Sequence, residues 1–143
     1  MPNVAMYHAL KDSDVTLQQD PNSKAGFDFN PPDDIQLPDS GLSMPAIQFG
    51  VFSQTALSNV VLRVRLVQFH FNPNPGGQPL TVTTLDREVF KRTFNGHVAG
   101  TFTEFFPGSF IDLNENHRFV FNLVSGNAPL IISDVMFLFQ RHI

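Results

Sequence analysis

From Ala46 onward apolar residues fall at every second position, the period of a strand whose alternate side chains face opposite sides of a sheet. AIQFGVFS puts Ile47, Phe49 and Val51 on one face, and NVVLRVRLVQFHF puts Val60, Leu62, Val64 and Leu66 opposite Arg63 and Arg65. Beyond Leu66 the parity flips. Val67, Phe69 and Phe71 are apolar while Gln68 and His70 take the former core side, which predicts a bulge or a strand that bends between two sheets. NPNPGGQP, residues 72–79, is a turn by composition. LTVTT resumes the extended pattern, and Arg87 to Phe94 fits either a strand or one helical turn. VAGTFTEFF, GSFIDL, RFVFNLV and LIISDVMFLFQR follow as strands, divided by Pro107-Gly108, Asn114–Asn116 and SGNAP at 125–129. About eight short strands, with turns every eight to twelve residues or so, predict an all-β, single-domain β-sandwich, a jelly roll of antiparallel strands.

Residues 1–45 have a different texture. Asp, Asn, Gln, Ser and Pro dominate, with NPPDD at 30–34 and LPDSG at 37–41. Such composition buries little and favours turns and extended backbone. The expectation is an extended, acidic, Pro-rich N-terminal arm on a sandwich formed by residues 46–143. Only Val4 to Leu10 is apolar enough to dock, as a short strand or a helical turn. The plainer reading has the segment fold back on its own body through Val4, Met6 and Leu10, or through Phe27 and Phe29.

Within the closing strand, Val135-Met136-Phe137-Leu138-Phe139 is apolar at every position, so both of its faces need cover. The opposing sheet supplies one. Apolar crowding recurs at Val67, Phe69 and Phe71 and at Phe105, Phe106, Phe110 and Ile111. At roughly 25 cal/mol per Å2, leaving a Phe pair and a Val in water forfeits several kcal/mol. Phe69, Phe71, Phe105, Phe106, Phe137 and Phe139 are therefore the expected oligomer interface. The expected partner is the chain itself, as a homo-oligomer such as a trimer, or another subunit of an assembly.

Composition narrows the classes. The chain has 143 residues and no cysteine, which removes disulfides, thiolate chemistry and Cys-ligated zinc. No charged leader precedes a long apolar run near Met1, and no run approaches the ~18 apolar residues of a membrane helix, so a soluble chain without a secretion signal is expected. Residues 1–50 carry seven acids against Lys11 and Lys24, and residues 51–143 carry six acids against seven bases; the whole chain has a net charge of −4. No basic field tracks a phosphate backbone, and nucleic acid is not an expected partner.

Catalytic and metal motifs are not found. His8, His70, His97, His117 and His142 show no metal-ligand spacing. DLNEN, residues 112–116, alternates like a calcium loop, but His117 follows where such a loop needs Gly, and a turn uses the same residues. The acid pairs Asp12/Asp14 and Asp33/Asp34 lie in the polar leading segment, where a solvated face is the simpler account. There is no Gly-x-Ser-x-Gly elbow, and NPGGQP lacks a phosphate loop's lysine. Neither an enzyme nor a cofactor is expected.

Sugar-stacking rings are usually Trp and Tyr, because an amphipathic ring can lie half exposed. This chain has no Trp, one Tyr and 16 Phe. That shifts weight from sugar recognition to packing. The expected role is a structural one: a self-associating sandwich subunit of a virus or phage particle, as capsid, decoration or fibre-head protein. The alternative is a lectin-like module for carbohydrate or a small ligand. The spacing of GSFIDLNENHRFVFNLVSG is loosely similar to the late strands of trimeric jelly rolls of the complement-like and tumour-necrosis-factor-like kind.

Overall fold

A computed structural model describes residues 3–11, 14–20, 23–29, 45–72, 76–77, 80–111 and 115–142; for 3–11, 29, 71–72, 80–81 and 140–142 it describes the backbone alone. The strands are β1 (Asn3–Lys11), β2 (Val15–Leu17), β3 (Lys24–Phe29), β4 (Ala46–Phe52), β5 (Leu57–Asn72), β6 (Leu80–Gly96), β7 (Ala99–Phe105), β8 (Asn116–Ser125) and β9 (Leu130–His142). They form two antiparallel sheets. Sheet A has the order β1-β9-β4-β7, with β2 also on β9, and sheet B has the order β3-β8-β5-β6. The chain is an all-β sandwich, as the alternation predicts.

The leading residues are not an arm as far as residue 29. β1 pairs with β9 from Asn3 opposite His142 to Lys11 opposite Val135, and β2 continues along the same strand from Val15 opposite Ile132. β3 pairs with β8 and buries Ala25 and Phe27. The physical reason is visible in KAGFDF, where Ala25 and Phe27 alternate with Lys24, Gly26 and Asp28. A strand of low hydrophobicity still pairs when its partner, here the apolar β8, supplies the core face. Residues 30–44, with both the NPPDD and LPDSG breakers, lie outside the described residues.

β5 stays in sheet B over all 16 of its residues, so it does not bend between sheets. Nor does β5 bulge after Leu66: its register with β8 is unbroken from Leu62 to Phe69, Gln68 stays buried on the core side and Phe69 faces outward, so the parity flip in sequence is not one in the backbone. A bulge falls instead on the facing strand β6. Gln68 opposes Leu85 and Phe69 opposes Thr83, which leaves Thr84 as the extra residue, and its hydroxyl donates to the Gln68 carbonyl at 3.1 Å. Residues 87–94 belong to β6, whereas the described part of GSFIDL is a 3-10 turn at Gly108–Phe110 with Ile111 extended; Asp112 and Leu113 lie outside the described residues. Pro107 before the turn and the small Gly108 and Ser109 favour that outcome.

Between the sheets lies a phenylalanine-rich core. Phe49 is fully buried and meets Phe121 at 5.1 Å and Phe90 at 5.6 Å edge-on. Phe137 is likewise buried, stacked on Phe106 at 6.2 Å and Phe139 at 5.5 Å. Each such ring contributes roughly 1.5–3 kcal/mol through burial, with about 0.5–1.5 more for good ring–ring geometry. At the β8–β9 turn Gly126 has φ 127°, and a Cβ there would sit 2.5 Å from the Val60 Cα, so only glycine fits.

Candidate interaction surfaces

Strand pairing fixes which residues share an outer face, because directly opposed residues point the same way. On sheet B, β3, β8, β5 and β6 align Lys24, Asn122, Arg63 and Lys91 in one row, then Gly26, Val120, Arg65 and Glu88, then Asp28, Arg118, Val67 and Asp86. Ion pairs stitch this face. Arg65 donates to Asp86 at 2.7 Å, and Arg63 lies 3.3 Å from Glu88. Arg118 donates to both carboxylate oxygens of Asp28, through Nε to Oδ1 and through Nη2 to Oδ2 at 3.0 Å. That bond holds the Arg118 guanidinium more firmly protonated than usual. The same guanidinium lies 4.9 Å over the Phe69 ring, which is how an outward-facing Phe becomes buried.

Sheet A presents a different outer face. Phe105, Ala46 and Leu138 form one row across β7, β4 and β9; Thr103, Gln48 and Met136 the next; Thr101, Gly50 and Ser133 the third; Ala99, Phe52 and Ile131 the last. None of these twelve residues carries a charge. The formal charge on the described part of the face is Asp134, exposed at a bulge in β9 with φ 49°. Phe105 is 58% exposed and Phe52 48% exposed, while Met136, Leu138 and Ile131 are half-buried. Sheet B also exposes Leu85 and Val124, but at opposite ends of the sheet, near Gln68 and Ser125 respectively.

A third surface is the rim where the β2–β3, β4–β5, β6–β7 and β8–β9 connections gather. A cleft of about 420 Å3 is lined by Gln18, Gln19, Asp20 and Gly126 to Pro129. A neighbouring one shares Gln18 and Pro129 and adds Thr16, Gln54, Thr55 and Ile131. Side-chain amides brace it: Ser58 N–H donates to Asn127 Oδ1 at 2.7 Å and Asn59 N–H to Asn95 Oδ1 at 2.9 Å. The second bond lets Asn59 hold φ 51°, a conformation Asn tolerates better than most residues. Among the described residues no aromatic side chain lines either cleft.

No family model and no curated protein matches the chain. Among solved structures it is similar to a novel carbohydrate binding module from glycoside hydrolase family 9 (Cel9A) of Ruminococcus flavefaciens FD-1, at TM-score 0.46 and 12% identity, covering 99% of this chain and 100% of that one. It is also similar to a chain in the structure of infectious bursal disease virus, Gx strain, at TM-score 0.48 and 13% identity, covering 99% of this chain and 32% of that one. Both likenesses concern overall architecture, and no function follows from them.

The six phenylalanines expected at an interface do not form one surface. Phe69, Phe106, Phe137 and Phe139 are buried inside a single copy. Only Phe105 is exposed, and the Phe71 side chain lies outside the described residues. The double-faced apolarity of β9 has a local cause. β9 is an inner strand, between β1 and β4, and Met136 and Leu138 on its outer face are half-buried in a single copy. The exposed ring at Phe52 went unpredicted; its opposite parity to Phe49 and Val51 was the available signal.

Of the histidines, His117 is fully buried, opposite Gln68. His70 Nδ1 lies 3.5 Å from Glu115 Oε2. His97 is exposed on the rim, and the side chains of His8 and His142 are outside the described set. Among the described residues no group of three or more His, Asp or Glu could hold a metal ion. No helix of the structure is long and apolar enough to cross a membrane.

Proposed function

We propose that this chain is a structural subunit that self-associates through the outer side of sheet A, and that its setting is a virus or phage particle. The observation that carries the reading is the contrast between the two outer faces. A face laced with ion pairs is built to stay in water, whereas uncharged rows ending in two exposed phenylalanines lose little on desolvation.

Size supports a repeated contact over an isolated tight dimer. Four strands by seven residues is about 19 Å by 23 Å, or about 440 Å2 in projection. A standard stable interface takes ~800 Å2 from each partner. A small contact used many times by symmetry suits an assembly subunit. The strand order, with strands distant in sequence paired in two antiparallel layers, supports reading the sandwich as a jelly roll, an architecture found among viral capsid and lectin domains, and the particle setting rests on this architectural analogy.

Sedimentation velocity from about 1 to 200 μM is the test. Concentration-dependent association that Phe105→Asp weakens by about tenfold or more supports the reading, and a monomer throughout the range overturns it.

The second reading is a lectin-like module, favoured by the rim clefts. Their amides are the donor and acceptor types that bind sugar hydroxyls. Saturable binding on a saccharide array, lost in Gln18→Ala or Gln54→Ala, would put this reading first.

A further inference from the structure

Among the described residues no strand pairs with the outer edge of β7. That edge carries the inference, which rests on the self-association proposed above. The hydrogen bonds at the two ends of the β4–β7 ladder set its phase. Phe106 N–H donates to the Pro45 carbonyl at 3.0 Å, and Ser53 N–H donates to the Val98 carbonyl at 2.9 Å. Between them the register runs without a shift from Ala46 opposite Phe105 to Phe52 opposite Ala99. Antiparallel partners alternate between pairs that exchange hydrogen bonds and pairs that do not. Both anchors give the same answer. Residues 98, 100, 102, 104 and 106 turn their backbone groups toward β4, and Ala99, Thr101, Thr103 and Phe105 turn theirs to the open edge.

Sheets normally guard such edges with charges, prolines, bulges or brevity. The edge strand β6 carries Asp86, Arg87, Glu88, Lys91 and Arg92, and its ladder with β5 is broken by three register shifts. The edge strand β3 has six residues, with Lys24 and the Asp28–Arg118 pair on its outer face. β7 has few of these guards. It is unbroken, free of Lys, Arg and Pro, and exposed at all four edge-facing positions. Its one acid, Glu104, is half-buried and turned toward β4 in the backbone phase.

We propose that β7 pairs antiparallel with β7 of a second copy across a two-fold axis at Phe102, so that sheet A runs continuously through both molecules. This register alone uses all four edge residues: Ala99 opposes Phe105 of the second copy and Thr101 opposes its Thr103, giving up to about eight hydrogen bonds. Shifting by two residues in either direction leaves three pairs. Charge agrees as well. Glu104 faces Gly100 of the second copy, and the two Glu104 residues are offset by four positions, about 13 Å, beyond the ~8 Å screening length at physiological salt. Facing threonines are favourable cross-strand pairs.

The register also accounts for both exposed rings on the sheet A face. Phe52 and Ala99 share a row, and Phe105 of the second copy joins it on the far side of Ala99. Two strand spacings, about 9.6 Å, separate the two phenylalanines, and only the small Ala99 lies between them. The rings can close over it, each shedding the water that surrounds it in a single copy.

The test uses Thr101→Pro and Thr103→Pro. Proline removes an N–H that the single-copy fold does not use, and edge strands accept it there. The expected result is a dissociation constant raised on the order of 100-fold by sedimentation, with the far-UV circular dichroism of the folded monomer kept. Amide exchange on the wild-type chain at about 5 and 200 μM provides a second readout that needs no variant: Thr101 and Thr103 should gain protection at the higher concentration. If both variants associate as tightly as wild type, or those amides gain no protection while the chain associates, the edge pairing is wrong and self-association stands on another surface. A wild-type chain that is monomeric throughout overturns both proposals.

Discussion

The two outer faces of the sandwich are made from the same number of main strands and the same backbone geometry, yet they solve the problem of facing water in opposite ways. Sheet B covers the outward ring of Phe69 with the Arg118 guanidinium, and pins that guanidinium with Asp28. Sheet A leaves Phe52 and Phe105 open and places no charge in the four rows between them. An apolar side chain on a strand is thus not evidence of an interface until its neighbours are known. Phe69 and Phe105 look alike in sequence, and only one has a cation across the ladder.

Several substitutions break or sharpen this contrast. The largest effect belongs to neither face: Phe137→Ala, inside the core, should cost about 3–5 kcal/mol in urea denaturation. A cost below ~1 kcal/mol would mean that β9 is not packed as described. Gly126→Ala should cost upwards of about 2 kcal/mol, since the Cβ meets Val60 and the backbone is in a region side chains avoid; the same denaturation measurement checks it.

On sheet B, Arg118→Ala should cost about 1 kcal/mol, more than an exposed ion pair alone, because it also uncovers Phe69. Comparing it with Asp28→Ala separates the two contributions. Asp28→Ala should cost less and lose its effect in about 1 M salt, where the Debye length falls to ~3 Å. On sheet A, Phe105→Asp should shift the melting temperature of the dilute chain by no more than a few degrees, within the ±0.5 kcal/mol of a surface change, while weakening association. A large melting shift at low concentration would show that this ring is part of the monomer's own packing.

Much of the fold is legible in sequence. The period-two runs within 46–52 and 57–72 are strands, and so is the closing apolar run, whereas the parity flip after Leu66 is only one of residue type: Gln68 stays on the core side and Phe69 faces outward under Arg118. What misleads is composition. Residues 24–29 read as polar, but their alternation is that of a strand, and it is the alternation that the fold uses. Four of the six rings expected at an interface are buried in a single copy for a different reason. A run apolar on both faces says that both faces are sheltered, not by what. Whether shelter comes from a second molecule or from strands on either side depends on β9 being an inner strand, a fact of topology that no local pattern encodes. The same holds for the open edge of β7, whose outward backbone groups are defined by pairing register and not by residue type.

One consequence of the strand order concerns how the molecule is made. Apart from the β5–β6 hairpin, every successive pair of strands from β2 to β9 is divided between the two sheets, so nearly all pairing joins distant parts of the chain. Such topologies fold on the millisecond-to-second scale, because loop closure must precede the contacts that reward it. β9 joins β1 and β2 to β4, and of the nine described strands it follows all the others in sequence and so leaves a ribosome after them. Until it emerges, sheet B can form around its hairpin and β4 can pair with β7, while β1 and β2 wait as unpaired ribbons, a nascent state in which a chaperone or a neighbouring nascent chain has its best opportunity to intervene.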